Sequence, residues 1–221
     1  MARVNRLQPA LIPERTGVIL FDTMNGYLHS TNQDKQKHLA EKRVIENMQR
    51  VLTAARKAGI TTLYPAGRHS PDGSDTVARL TDTDMELRPL GPEGRPIKPS
   101  FYAGSWETEI ADEVAPVDGD VIVPKHRWNA FHQTDLELHL RVRGIDTIVL
   151  AGGSTDVGIA STAFAARDMD LGLVIVSDCC YSMRGNNNDF FMERVFPRMG
   201  RVMDSHEVAR LMEEGQKKSA S

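Results

Sequence analysis

Short apolar runs that stop abruptly at a polar residue, alternating with segments of helical spacing, recur through the whole chain. This alternation is the pattern of a parallel sheet covered on both faces by helices. Gly17-Val-Ile-Leu-Phe21, stopped by Asp22, reads as the first strand, and Thr61 to Tyr64 as the second. Asp120-Val-Ile-Val-Pro124 reads as the third, Thr147 to Leu150 as the fourth, Leu173 to Ser177 as the fifth, and a short sixth lies around Val202. Between the first two, Val44, Met48, Val51, Leu52 and Ala55 carry the spacing of an amphipathic helix spanning about 37–59 and closed by Gly59. Thr134 can cap a helix running to Arg143, and further helices are expected after the turn Ala151 to Thr162, over about 188–198, and over about 205–214. Residues 65–116 form a long connection rich in Gly, Pro, Asp and Ser, of the kind that builds a site rather than a core. A length of 221 residues suits one α/β domain, so residues 1–221 are expected to form a single unit.

Composition excludes several function classes. A formal net charge of -3 offers no attraction for nucleic acid or an anionic membrane, so neither is expected as a partner. The first residues lack the apolar stretch of a secretory signal, and no run approaches the roughly 18 apolar residues of a membrane span. A cytoplasmic location is the expectation. The two cysteines, Cys179 and Cys180, are adjacent and cannot make a disulfide framework or a four-ligand zinc site. The histidines lack the i, i+4 pairing that puts two ligands on one helical face, and neither a metal nor a cofactor is expected.

In an open parallel sheet, ligands bind beyond the carboxyl ends of the strands. Three of those ends carry chemistry here: the first strand ends in Asp22, the third in Lys125, and the fourth in the glycine-rich turn Gly152 to Gly158. A carboxylate, an ammonium group and a helix amino end on one rim could move protons and hold negative charge. Taken singly, each has a plainer reading. Asp after a strand often forms a turn, a Lys after Pro124 often sits in solvent, and the glycine-rich turn lacks both GxGxxG spacing and a P-loop lysine.

Taken together the residues resemble a known family. Phe21-Asp22-Thr-Met-Asn-Gly-Tyr-Leu28, Ala103-Gly-Ser-Trp-Glu-Thr-Glu-Ile110, Lys125-His-Arg-Trp-Asn-Ala-Phe131, Thr134 to Leu140 and Ala151 to Thr162 are similar, in order, to the motifs of isochorismatase-like hydrolases, from about residue 15 to 206. The resemblance implies a three-layer α/β/α, Rossmann-like fold with a six-stranded parallel sheet, assembled as a homodimer or larger homo-oligomer. It also implies a catalytic triad of Asp, Lys and Cys, of which Asp22 and Lys125 match the first two. The cysteine position, three residues after Thr155, holds Gly158. Covalent catalysis from a residue without a side chain is impossible. The resemblance further implies a cis peptide before Ser154 and a packing role for Cys179 and Cys180. The Asp-x-His metal pattern of some relatives is broken by Gly67. Arg68 is a candidate to bind a substrate carboxylate or carbonyl, Trp128 and Phe131 to line the pocket, and Ser154 and Thr155 to contact substrate at the turn.

The reading that follows is a hydrolase for a small polar or anionic metabolite, working by non-covalent acid and base catalysis at Asp22 and Lys125. The absent side chain at Gly158 is expected to leave room in the pocket for substrate or water. Alternatives are hydrolysis of an amide or ureido bond by an activated water, an engineered replacement of a native cysteine by Gly158, and, from a different class, an inactive binding or scaffold protein. Proton donation by Asp22 needs its pKa raised by burial against the opposing pull of Lys125, and the sequence leaves that balance open.

Overall fold

A computed structural model describes residues 9–75 and 101–220. The first strand, β1 (Thr16–Phe21), is followed by a short helix α1 (Asn25–Leu28), then α2 (Gln33–Glu41), α3 (Val44–Ala58) and β2 (Thr61–Gly67). After the long connection come β3 (Val121–Lys125), α4 (Leu136–Val142), β4 (Thr147–Gly153) and α5 (Ala160–Asp168), which a wide π turn, Thr155–Ile159, leads into. The remainder comprises β5 (Gly172–Tyr181), α6 (Asn187–Phe190), which continues through further helical turns to Arg198, β6 (Arg201–Met203) and α7 (Ser205–Ser219).

All six strands are parallel, in the order β3-β2-β1-β4-β5-β6. The chain builds outward from β1 in one direction and then, from β4 onward, in the other. Strand order therefore reverses beside β1, which places the carboxyl ends of β1 and β4 at the switch point where such folds bind ligands. Alternate residues of β1 feed opposite layers: Val18 and Leu20 join the core under α3 and α7, while Ile19 and Phe21 join the core under α4 and α5. Both faces are thus closed by helices, and every β1 residue is buried.

One helical expectation needs correction. The single helix expected over 37–59 is two helices, α2 and α3, separated at Arg43, which adopts a left-handed conformation (φ 51°). Hydrophobic spacing supports α3 alone, whose Val44, Met48, Val51, Leu52 and Ala55 are buried, whereas α2 buries only Leu39. The long connection holds two short 3-10 turns, Trp106–Thr108 and Asp112–Val114. β4 and β5 also run further than expected. The register of β4 against β5 jumps between Leu150 and Gly152, so that Gly152 pairs with Cys180 and Gly153 with Tyr181. That bulge carries Tyr181 to the rim of the sheet. Part of the long connection, residues 76–100, lies outside the described residues. Among the described residues no helix is long and apolar enough to cross a membrane.

Candidate active site

Asp22 leaves β1 in a left-handed conformation (φ 51°), a region that Asp tolerates better than most side chains. Its amide donates to the Pro65 carbonyl (3.0 Å), tying the end of β1 to β2. The Asp22 carboxylate accepts from Lys125 Nζ at 2.9 Å and from the Gly67 amide at 3.3 Å. Lys125 arrives from the end of β3, and its ammonium also reaches the Arg127 carbonyl at 3.4 Å. Both side chains are buried, so the expected pairing at the carboxyl edge is what the structure shows. Burial drives the Asp22 carboxyl above its ordinary pKa, and Lys125 and the Gly67 amide offset only part of that. The balance left open by the sequence therefore falls on the side of burial, which raises the Asp22 pKa.

The turn that follows β4 is shaped by contacts that leave no space for side chains. A Cβ on Gly152 (φ 129°) would lie 2.0 Å from the Phe21 carbonyl oxygen. At Gly153 it would meet the Tyr181 ring, and at Gly158 it would lie 2.2 Å from Phe21 Cε1. The expectation that Gly158 leaves room for substrate or water is overturned: the Phe21 ring already fills the space toward which a side chain at 158 would point. Phe21 is itself buried, and its ring centroid lies 4.5 Å from Lys125 Nζ. An aromatic ring thus stands between the amino end of α5 and the Asp22–Lys125 pair.

A cis peptide joins Gly153 to Ser154. Ser154 Oγ donates to Asp156, whose other oxygen accepts from Asn187 Nδ2 at 2.6 Å. Burial alone would raise the Asp156 pKa, but hydrogen bonds from Ser154, Asn187 and Ser182 hold it below the usual range. Thr155 is fully buried and donates to Asn188 Oδ1 at 2.8 Å. Both turn hydroxyls are therefore engaged with neighbouring protein groups. Trp128 is 53% exposed, and Phe131 packs against the core under α4 and α5. Arg68 lies beside a cleft of about 340 Å³ lined also by Gly67, Gly104, Glu109 and Pro124; neither Asp22 nor Lys125 lines that cleft. Cys179 and Cys180 are buried, and burial pushes the Cys180 thiol up to about 12 and the Cys179 thiol well above its ordinary value. Such thiols pack rather than react.

Two residues that sequence reasoning passed over lie at the same edge of the sheet. Lys35 projects from α2 so that its Nζ stands 4.9 Å from the Tyr27 ring centroid and 5.2 Å from that of Tyr181. Burial brings the Lys35 ammonium down to about 8, against the upward pull of the Asp22 charge. Tyr181 is buried, its phenol has no hydrogen-bond partner among the described residues, and burial together with the Asp22 charge raises its pKa. Apart from these, Asp75 bridges His69 (3.4 Å) and His126 (3.1 Å). Among the described residues no group of three His, Cys, Asp or Glu is arranged to hold a metal ion.

The family model described as "Isochorismatase domain" matches residues 16–207. The chain belongs to the isochorismatase family. It is a hydrolase of that family. A ureidoacrylate amidohydrolase RutB from Acinetobacter baylyi is 31% identical over 200 residues, covering 81% of this chain and 77% of that one. An uncharacterized isochorismatase family protein, YecD of Escherichia coli O157:H7, is 43% identical over 103 residues, or 47% of this chain and 54% of that one. Among solved structures, a cysteine hydrolase from Pseudomonas syringae superposes with a TM-score of 0.79 at 26% identity, covering 94% of this chain and 97% of that one. This isochorismatase-family sheet has the six parallel strands and two helical layers that the sequence resemblance implied.

Proposed function

We propose that this chain hydrolyses a small polar or anionic metabolite without a covalent intermediate, with Asp22 as the proton-transferring group and Lys125 as its electrostatic partner. The observation that carries this reading is the buried Asp22–Lys125 pair at 2.9 Å, standing beside a Gly158 whose side-chain space is filled by Phe21. A carboxyl group with a raised pKa can hold a proton near neutrality and deliver it to a leaving group or an unsaturated carbon. Lys125 then stabilises the carboxylate that remains, at a cost lower than in a site without a counter-charge. The contact between Phe21 and Gly158 favours a native glycine over an engineered loss of cysteine, because a thiol at 158 has no space beside the ring as it stands.

A second reading differs in the bond cleaved, and the identity with ureidoacrylate amidohydrolase supports it. There an ionised Asp22 would accept a proton from water as that water attacks a ureido or amide carbonyl, and would pass the proton to the departing nitrogen. The pH profile separates the two: donation by protonated Asp22 fails as pH rises through its raised pKa, whereas base catalysis fails as pH falls through it.

The test is a turnover screen of isochorismate against small ureido acids and amides, followed by variants. Asp22→Asn should lower kcat by about 10² to 10⁴-fold, the usual contribution of a positioned acid or base. Lys125→Ala should also be severe. Activity should survive thiol alkylation of the folded protein, since both thiols are buried and held protonated. Complete loss on alkylation, with the fold intact by circular dichroism, would transfer the chemistry to a cysteine. Full activity in Asp22→Asn would remove Asp22 from it.

A further inference from the structure

An ammonium group that leaves water is normally compensated by an acceptor, because burying charge without a partner is costly. Lys35 departs from that rule. Among the described residues its Nζ has no hydrogen-bond acceptor and no ion pair, and its near neighbours are the rings of Tyr27 and Tyr181. The two rings supply a cation–π environment, which attracts a cation but leaves its N–H donors unused. The ring of Tyr27 is itself fixed by stacking on Phe101, with centroids 4.5 Å apart. Beside the ammonium, the Tyr181 hydroxyl is a second donor without a partner, and it is fully enclosed. Phe21, next to Asp22, pairs with Gly152, and Gly153 pairs with Tyr181, so Tyr181 and the Lys35 ammonium over its ring lie at the same carboxyl edge as the acid.

An unused ammonium and an unused phenol, held by aromatic packing next to a proton-transferring carboxyl, form a receptor for a carboxylate. We infer that Lys35 and Tyr181 bind a carboxylate of the substrate and orient its scissile group toward Asp22. This inference rests on the hydrolytic reading above and narrows it to small organic acids, whichever bond is cleaved. It also gives α2 a purpose, since that helix buries little apolar surface and carries Lys35 on its inner side. Discrimination against neutral analogues then comes from two donors that would be left unpaired when the carboxylate is replaced by an amide.

The experiment uses the full-length chain and succinate as probe, followed through two-dimensional amide NMR spectra, with succinamide as the neutral control. Succinate should bind saturably, moving amides of α2 and around Tyr181, while succinamide should not. Lys35→Met should weaken succinate binding by roughly 10- to 100-fold, the usual value of a hydrogen bond to a charged group, and Tyr181→Phe by about 2- to 10-fold. Lys35→Arg should recover most of the loss, which separates a charge effect from simple unfolding of α2. Affinity should also fall as pH rises through about 8, where the ammonium facing Asp22, Tyr27 and Tyr181 loses its proton. Equal binding of succinate and succinamide, no binding of succinate, or wild-type affinity in Lys35→Met would each overturn the inference. Succinate binding that depends on Lys35 in a protein that turns over no acid would leave the carboxylate site standing and sink the hydrolytic reading instead.

Discussion

At the scale of single residues the decisive contact is between Phe21 and Gly158. A methyl group at 158 gains up to about 1 kcal/mol of helix propensity over glycine, but it must displace a ring enclosed in the core, and such overpacking costs about 1–3 kcal/mol. Gly158→Ala should therefore lose roughly 1–2 kcal/mol in urea denaturation, and a Phe21→Leu background should return most of it. If Gly158→Ala proved as stable as the wild type, the ring would not be fixed where the structure places it. The same logic says that Gly158→Cys alone should resist alkylation, and that its thiol should become reactive only together with Phe21→Leu. Asp22 and Lys125 were legible in the sequence because each terminates an apolar run. Their partner Phe21 was legible only as one more apolar residue, since alternation assigns it to a layer and says nothing about which backbone it touches. Lys35 was hidden for a related reason. Its chemistry depends on α2 bringing its ammonium over the rings of Tyr27 and Tyr181, and no local pattern records that approach.

At the scale of elements, the sheet was read almost entirely from period and punctuation, while the errors fell where tertiary contacts override local signals. Five strands begin within one residue of their expected positions, yet β5 runs past Ser177 to Tyr181, through an Asp178 that has the look of a terminator. In the structure the Asp178 carboxylate accepts from the Ser205 amide (2.8 Å) and hydroxyl (2.7 Å) at the start of α7, so the strand can pass through a polar residue. Asn32 does comparable work for α2, where its side chain accepts from the Lys35 amide at 2.9 Å. Removing such a cap costs about 1 kcal/mol. Asn32→Ala should raise amide hydrogen exchange within α2 about fivefold, whereas Asn32→Asp should keep α2 protected. Unchanged exchange in Asn32→Ala would mean that packing on α3, rather than the cap, holds α2 in place.

For the molecule as a whole, the buried acid gives stability a characteristic pH dependence. The Asp22 pKa is raised by folding, so its contribution is fully present below the unfolded carboxyl value and is lost as pH rises through the folded value. Asp75, Asp156 and Glu113 are shifted downward and act in the opposite sense, contributing stability above the ordinary carboxyl range that is lost in acid. The difference in unfolding free energy between the wild type and Asp22→Asn, followed by denaturation across a pH series, cancels these shared groups. It should fall with rising pH; a flat difference would show that Lys125 compensates Asp22 fully. A different consequence follows from strand order. In register, Gly17 pairs with Thr61 of β2 on one side and with Ile148 of β4 on the other, so the central strand of the finished sheet waits for much of the chain before its second edge is covered. During synthesis the segment Thr16–Phe21, entirely apolar but for its first residue, stands as an open edge until β4 emerges, and open apolar edges recruit other strands. The most vulnerable form of this protein is therefore the unfinished one, and conditions that slow translation between β3 and β4 prolong the interval in which nascent chains can associate with one another.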